Sequence, residues 1–222
     1  MTIKKREIKD LLYEQVARIG KAVSSPKRLE LLELLAQGEK TVEVLAAELS
    51  IDVKLTSAHL KALKAARLVE HRREGKYMVY RLSGDDVAQL WVTLREVAEE
   101  HLVELQLAVQ KMVASPEQLT QATRKELLAQ ARRGEVIVLD VRPAEEYAVA
   151  HLPYARSMPV AEIERRLAEL PKGREIVAYC RGPFCLFSDE AQQLLSRKGY
   201  RVRKLLDGVA EWQAAGMPIE RD

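Results

Sequence analysis

The 222-residue chain contains two cysteines, and both lie in the heptapeptide "YCRGPFC" at positions 179–185. Two thiols five positions apart cannot join distant parts of a chain, which favours a chemical role over a structural one. Gly182 lets the intervening backbone curl, and Pro183 stiffens the curl. The sequence therefore predicts a compact loop with reactive thiols in a reduced, cytoplasmic setting.

The elements around this loop favour a thiolate at Cys180. The continuous apolar run "REIVAYC" predicts a buried strand that ends at Cys180, and "LFSDEAQQLLSRKG" predicts a helix directly after the loop. Backbone N–H groups and the positive end of that helix stabilise a thiolate, and Arg181 adds a cation beside it. We expect Cys180 to be a nucleophile whose sulfur is open to small donors.

The second half of the chain has an α/β pattern. "EVIVLDV" (135–141) predicts another buried parallel strand, "YRVRKLL" predicts a weaker third, and helical segments lie at about 160–170 and 186–198. The composition changes near "MVASPEQ", so we place a linker at about 113–117, with Ser115-Pro116 as a break. This predicts a multidomain chain with domains at 1–112 and 118–222, the second built on a central parallel sheet.

The segments "VLDVRPAEEYAVAHLPYARSMP", "IVAYCRGPFC" and "LLDGVAEWQAAGMPI" together resemble the rhodanese domain over residues 118–222. The resemblance implies that Cys180 accepts a sulfane sulfur from polysulfide or thiosulfate and becomes a persulfide held by the loop amides. Asp140 and Arg142 are expected to organise the base of the loop. No acid-base role is needed for His151, because a thiolate is already a nucleophile.

The loop departs from the family pattern at two positions. Leu186 stands where phosphatase relatives carry an arginine, which disfavours phosphate or arsenate chemistry. Cys185 stands where many sulfurtransferases have an arginine. Cys185 is either a resolving thiol that bridges to Cys180 through a disulfide or polysulfide, or a small buried side chain.

The charge of the first half is concentrated in one block. Residues 54–81 contain eight basic and two acidic side chains, whereas residues 82–113 contain two basic and six acidic ones. A local positive block is the electrostatic footprint of a phosphate-binding surface. The alternative is a solvated basic face on a helical domain.

The elements in and before this block are mainly helical. We predict a helix from about Lys5 to Val23, a second that begins at Ser24-Ser25-Pro26, a short one in "VEVLAAELS" and a fourth in "IDVKLTSAHLKALKAARLV". "EHRREGKYMVYRL" then predicts a hairpin that turns at Glu74-Gly75-Lys76. This order is that of a mainly-α winged helix-turn-helix.

The basic and short polar side chains of the fourth helix and the hairpin are the candidate DNA contacts. Base edges and phosphates are within reach of such side chains on a recognition helix, and phosphates are within reach of a wing. The candidate DNA-binding residues are Lys54, Thr56, Ser57, His59, Lys61, Arg72, Arg73 and Lys76.

Residues 10–110 resemble the winged-helix regulators of the ArsR family. The pieces that carry this resemblance are "PKRL", "LAAEL", "SAHLKAL" and the stretch from Gly75 to Leu82. The resemblance implies a homodimeric repressor that leaves a double-stranded DNA operator when an inducer binds. The stretch "TVEVLAAEL" lacks the metal-sensing cysteines of many relatives, and we predict no metal site and no cofactor.

A further helix is predicted from about Asp85 to Met112. Its apolar residues recur every three or four positions, from Trp91 and Leu94 onward. Such a stripe either packs within the chain or against a partner helix. We expect it to form a homodimer, because helix-turn-helix proteins usually bind two half-sites as symmetric dimers.

These features predict a transcriptional regulator, with repressor as the expected direction, that senses or carries sulfane sulfur at Cys180. The alternative is a thiosulfate or persulfide sulfurtransferase whose winged helix only controls its own expression. A third interpretation is a DNA-binding protein with an inert second domain. The chain has no run of 18 apolar residues, so no membrane partner is expected.

Overall fold

The computed structural model describes residues 3–112 and 116–222, so positions 113–115 of the predicted linker lie outside the described residues. The chain divides into two compact units, Met1–Trp91 and Val92–Asp222. In the described part of the chain, no helix combines the length and the apolar character needed to cross a membrane.

The first unit contains four helices, a small sheet and the start of a fifth helix among its described residues. The elements are α1 (Ile3–Val23), α2 (Pro26–Ala36), β1 (Lys40–Thr41), α3 (Val42–Leu49), α4 (Val53–Ala65), β2 (Val69–Glu74), β3 (Tyr77–Leu82) and the first part of α5 (Asp85–His101). The sheet is antiparallel in the order β1-β3-β2.

Local signals in the sequence explain where these helices begin. Pro26 occupies the first turn of α2, where its missing N–H costs no hydrogen bond. The Thr41 and Asp52 side chains cap α3 and α4 by accepting from the amides of Val44 and Leu55 at 3.3 and 2.8 Å. The predicted mainly-α winged helix-turn-helix is confirmed.

Met78, Tyr80 and Leu82 alternate along the sequence as in a strand with one buried face, but the burial of β3 does not follow this pattern. Val79 and Tyr80 are both buried, and Met78 and Leu82 are only partly so. β3 is the central strand, since Lys40 and Thr41 pair with Tyr80 and Val79 on its other edge. Successive side chains of a strand point to opposite faces, so the burial of both Val79 and Tyr80 means that both faces of β3 are covered at this point, and such a strand does not alternate.

The single helix predicted for residues 85–112 is two helices. α5 ends at His101, and α6 covers Val103–Met112. At the break, the Gln106 side chain donates to the carbonyl oxygens of Glu99 and Glu100 at 2.8 and 3.1 Å. Carbonyl groups at the end of a helix lack main-chain donors, and here the Gln106 side-chain amide supplies the missing hydrogen bonds. The break between α5 and α6 therefore leaves these two carbonyl groups satisfied.

The second unit is built on a parallel sheet. Its elements after α6 are α7 (Arg124–Arg132), β4 (Val136–Asp140), α8 (Ala144–Val149), β5 (Arg156–Ser157), α9 (Ile163–Arg166), β6 (Glu175–Tyr179), α10 (Phe187–Arg197), β7 (Val202–Lys204) and α11 (Val209–Ala214). The sheet order is β5-β4-β6-β7, and all three pairings are parallel.

Each face of this sheet is covered by apolar side chains. One face packs around Ile137, Leu139 and Ile176, and the other around Val138 and Trp212. β4 and β6 are therefore buried on both sides, which accounts for their continuous apolar sequences. Asp140 and Tyr179 are register partners at the carboxyl ends of these strands, so the residues that follow both strands emerge at one edge of the sheet.

Candidate functional site

The loop between β6 and α10 brings the two cysteines together. Cys180 follows the last residue of β6, and it is joined to Cys185 by a disulfide with the Cα atoms 6.2 Å apart. The amide of Cys185 donates to the carbonyl oxygen of Gly182 at 3.1 Å, which closes a turn between the cysteines. Cys180 is 1% exposed, so the open sulfur expected from the sequence is not seen in the disulfide form. Cys185 is partly exposed.

Two glycines allow neighbouring groups to approach this loop closely. Gly182 has φ +147°, and a Cβ atom there would lie 3.1 Å from Oε1 of Glu211. A Cβ atom on Gly208 would lie 2.5 Å from the carbonyl carbon and oxygen of Arg181 and 2.8 Å from the carbonyl oxygen of Cys180. Only glycine fits where two backbones cross at this distance. The segment before α11 thus supports the root of the cysteine loop.

Asp140 and Arg142 form a buried ion pair at the edge of the sheet from which the loop emerges. Arg142 Nε lies 2.9 Å from Asp140 Oδ1, and Arg142 Nη2 donates to the carbonyl oxygen of Ala150 at 2.7 Å. Burial alone would lower the pKa of Arg142, but hydrogen bonding and charge attraction from Asp140 outweigh it and raise that pKa above its ordinary value. The guanidinium is therefore a fixed cation.

Tyr179 connects this ion pair to the strand that carries Cys180. Its hydroxyl donates to Asp140 Oδ2 and accepts from the amide of Leu152 at 3.1 Å. Burial, together with the charge of Asp140, raises the pKa of Tyr179 well above its ordinary value, so the hydroxyl remains a donor. The arrangement supports the expected role of Asp140 and Arg142 in organising the base of the loop.

Arg181 is paired rather than free to act on the thiol alone. Its Nε and Nη2 atoms lie 3.0 and 2.6 Å from the two carboxylate oxygens of Glu146, and both side chains are buried. The guanidinium also lies 5.4 Å from the centre of the Phe187 ring. Because Glu146 matches its charge, Arg181 contributes less positive potential at Cys180 than the sequence predicts.

His151 has a packing role in this structure. Its ring stacks on Tyr147 with the centroids 3.8 Å apart, and Nδ1 lies 2.9 Å from the carbonyl oxygen of Tyr147. Its main chain pairs with Glu220. These contacts hold the imidazole in place within the domain.

Two carboxylates of this site, Glu146 and Glu211, have contacts that were not expected from the sequence. Glu146 binds Arg181, and Glu211 Oε2 accepts from the amide of Gly208 at 2.7 Å. The contact of Glu211 could have been predicted, because a glutamate three positions after the N-cap residue of a helix often accepts a hydrogen bond from the amide of that residue. Burial raises the pKa of Glu211 above its ordinary value, although the charge of Arg95 acts in the opposite direction.

Most of the candidate DNA contacts on α4 lie where a ligand could reach them. Lys54 and Lys61 are exposed, and Ser57 and His59 are partly exposed. Lys54, Ser57 and Lys61 follow at spacings of three and four and therefore share one face of the helix. This face is the cationic surface that the charge block predicted.

Thr56 is removed from the candidate set. Its side chain is fully buried, and its hydroxyl donates to the carbonyl oxygen of Asp52 at 3.0 Å. Thr56 lies four and seven positions before Leu60 and Leu63, which are also buried, so helical periodicity turns it toward the core. It cannot contact a base edge from this position.

The three hairpin cations proposed as DNA contacts, Arg72, Arg73 and Lys76, are exposed and have different local partners. Arg72 forms ion pairs with Glu39 and Glu74. Arg73 Nε donates to the carbonyl oxygen of Gly75 at 3.0 Å, and Lys76 Nζ lies 5.1 Å from the Tyr77 ring centre. The register pairs Glu74 with Tyr77, which places Gly75 and Lys76 at the turn. Lys76 thus lies at the tip and Arg73 lies on the strand just before it, and the charge of Arg72 is matched by its two partners.

Family comparisons match the two halves of the chain separately. Residues 25–71 match the arsR family of bacterial regulatory proteins, and residues 123–215 match the rhodanese-like domain. The homodimeric winged helix-turn-helix DNA-binding domain Mb0332 of Mycobacterium bovis has 48% identity, covering 43% of this chain and 89% of that one, with a TM-score of 0.41.

Relatives match one domain or both. A sulfurtransferase of Allochromatium vinosum is 36% identical over 86 residues, which are 38% of this chain and 78% of that protein. The HTH-type transcriptional regulator Rv0324 of Mycobacterium tuberculosis is 45% identical over 212 residues, which are 96% of this chain and 93% of that protein. This chain therefore belongs to the ArsR-type transcriptional regulators, as a member with a C-terminal rhodanese-like domain.

Proposed function

We propose that this regulator binds DNA through α4 and the β2–β3 hairpin, and that its rhodanese-like domain senses sulfane sulfur through Cys180 and Cys185. The observation that carries the proposal is the bridge between these cysteines in a turn at the carboxyl end of a buried strand. A second thiol held this close can resolve a modification of the first. Of the two roles considered for Cys185, a resolving thiol and a small inert side chain, the proposal assigns it the first.

The chemistry requires two steps. The Cys180 thiolate attacks a sulfane sulfur of a polysulfide, forms a persulfide and releases the shortened polysulfide as the leaving group. The Cys185 thiolate then attacks Sγ of Cys180, which forms the disulfide and expels hydrosulfide. The dithiol is oxidised, and the transferred sulfur is reduced to sulfide, so no further oxidant is needed.

The buried surroundings of the loop favour a sensing role over repeated catalytic turnover. Cys180 is almost fully covered once the disulfide has formed, and each further cycle would need a reductant to reopen the bridge. Asp140, Arg142 and Tyr179 form a buried, hydrogen-bonded base at the end of the strands from which the loop emerges. Reduced and oxidised states would thus differ mainly in the loop.

The cations on α4 and the hairpin support binding to a double-stranded operator. Lys54, Lys61, Arg73 and Lys76 are exposed and can pair with phosphates, while Ser57 and His59 can reach base edges. Arg72 is expected to contribute less, because Glu39 and Glu74 already match its charge.

A homodimer is supported by apolar side chains that remain exposed in the single chain. On α1 these are Ile8, Leu11, Leu12, Tyr13 and Val16, and on α5 and α6 with their connection they are Leu94, Val97, Leu102, Val103 and Leu107. Exposed apolar residues at helical spacing mark interaction surfaces. We propose that the 85–112 segment and α1 contribute to the dimer contact.

The experiment is fluorescence anisotropy on a duplex from the promoter of the chain's own gene, with and without sodium tetrasulfide. We expect the parent protein to release the duplex on treatment and to show, by intact mass, a loss of two hydrogens. Cys180→Ser should bind the duplex and stay bound, and Cys185→Ser should gain sulfur atoms without forming the bridge. Equal release by Cys180→Ser would contradict the proposal.

Sulfurtransferase activity is the second candidate, favoured by the similarity of the rhodanese-like domain to the sulfurtransferase of Allochromatium vinosum. It predicts steady production of thiocyanate from thiosulfate and cyanide, with many turnovers per chain and no effect of DNA. A single turnover that stops at the disulfide would favour sensing.

A further inference from the structure

Arg95 is a buried cation of α5 that contacts the cysteine loop. It belongs to the unit Val92–Asp222 and is 4% exposed. Its guanidinium carbon lies 5.8 Å from the centre of the Phe184 ring, within the range of a cation–π contact. Phe184 lies between the two cysteines in the sequence, so this contact is made to the loop itself.

A second contact reaches the loop through Glu211. Arg95 Nη1 lies 3.1 Å from Glu211 Oε1, and Glu211 is also buried. The same carboxylate packs against the backbone of Gly182, where a Cβ atom would come within 3.1 Å of it, and accepts from the amide of Gly208 at 2.7 Å. Arg95 therefore supports the loop directly at one residue and through a carboxylate at another.

We propose that Arg95 is a positioning residue that favours the disulfide form of the Cys180–Cys185 loop, and that α5 responds to the oxidation state of the loop through it. The inference rests on the proposed function, in which these cysteines are a redox pair. Opening the disulfide releases the constraint on both ends of the segment that carries Phe184. The contact between Arg95 and the Phe184 ring is therefore the Arg95 contact that reduction of the disulfide should affect most.

The position of Arg95 in the chain gives this contact a regulatory meaning. α5 runs from Asp85 to His101, and the division between the compact units falls within it, after Trp91. A helix propagates a displacement as a rigid element. A response at Arg95 is therefore a response of the helix within which the chain divides into its two units.

Linkage gives a measurable consequence. If the disulfide favours the Arg95 contacts, then Arg95 favours the disulfide by the same factor. Loss of the cation must shift the dithiol–disulfide equilibrium toward the dithiol, whereas a merely structural residue would lower stability without shifting that equilibrium.

The test is equilibration of the full chain with mixtures of reduced and oxidised dithiothreitol, followed by thiol trapping and intact mass. Arg95→Met should form the disulfide about tenfold less readily than the parent, which for a two-electron couple is about 30 mV. Arg95→Lys should fall between the two, because it keeps the charge. The matched control is Arg165→Met, whose side chain is 73% exposed and pairs with Glu162 on the surface.

A shift of threefold or less in Arg95→Met overturns the proposal. If that variant does not fold, Phe184→Leu removes the ring contact and leaves the ion pair with Glu211 in place. Phe184→Leu should also weaken the disulfide by more than threefold, and a smaller shift overturns the proposal equally.

Hydrogen exchange tests the response of the helix. Peptides that cover residues 85–101 should exchange more slowly in the oxidised parent than in the reduced parent, and Arg95→Met should lose this difference. Equal exchange in both states of the parent overturns the inference. Because dithiothreitol sets the redox state here, an absence of reaction with tetrasulfide would refute the proposed sensing without affecting these measurements.

Discussion

Replacement of Gly208 by alanine tests whether the segment before α11 sets the position of the cysteine loop. The added Cβ atom would lie 2.5 Å from the carbonyl carbon and oxygen of Arg181 and 2.8 Å from the carbonyl oxygen of Cys180. Ordinary contacts between such atoms begin near about 3.4 Å, so the two backbones must separate by roughly 1 Å. No flexible side chain is available to absorb this movement.

The cost follows from the nature of the atoms that collide. Overpacking in a rigid interior destabilises by about 1–3 kcal/mol, and backbone contacts belong at the upper end of that range. We expect Gly208→Ala to lose about 3 kcal/mol of unfolding free energy. With a urea m-value of about 2 kcal/mol per molar, the midpoint should fall by about 1.5 M.

Urea denaturation of the oxidised chain measures this loss, and thiol trapping after reduction measures the reactivity of Cys180. Gly20→Ala is the matched control, since nothing lies within 4 Å of a Cβ atom there and the position is helical. It should be neutral or should stabilise by about 0.5–1 kcal/mol. A Gly208→Ala variant whose stability stays close to that of the parent would refute the view that this crossing holds the loop.

Three further changes test other parts of the molecule. Asp140→Asn should cost about 3–5 kcal/mol in urea denaturation, because it leaves the Arg142 cation buried without its counter-charge. Burial raises the pKa of Glu211 above its ordinary value of 4.5, so the stability that its protonated form contributes at low pH is lost as pH rises from 4.5 through the raised pKa. Glu211→Gln should lack this loss, and parallel stability–pH curves would contradict it. Lys61→Gln should weaken DNA binding for all sequences and reduce the slope of log affinity against log salt by about one per subunit, or about two for the bound dimer, as measured by anisotropy.

Much of the second unit was predictable because its central strands are buried on both faces. Continuous apolar runs at 135–141 and 174–180 indicated β4 and β6, and the position of Cys180 at a strand end followed from them. β5 has only two residues, which is too short for any periodic signal. β1 has the same length, and the alternation of Met78, Tyr80 and Leu82 along the chain gave no sign that Val79 would also be buried.

Errors at individual side chains have two distinct origins. The burial of Thr56 could have been predicted, because its spacing to Leu60 and Leu63 is that of the helix face that packs on the core. The pairing of Arg181 with Glu146 was not, because these residues are 35 positions apart and only the fold joins them. Arg95 was hidden for the same reason, because Phe184 and Glu211 are both distant from it along the chain.

The burial of Arg95 also determines how this protein can be dissected in the laboratory. A fragment that starts at residue 118, where the rhodanese-like resemblance begins, would omit α5 and leave Glu211 without that cation. Its cysteine chemistry would then describe a truncated loop environment rather than the one in the intact regulator. A fragment for crystallography or thiol kinetics should begin no later than Val92, where the second compact unit starts.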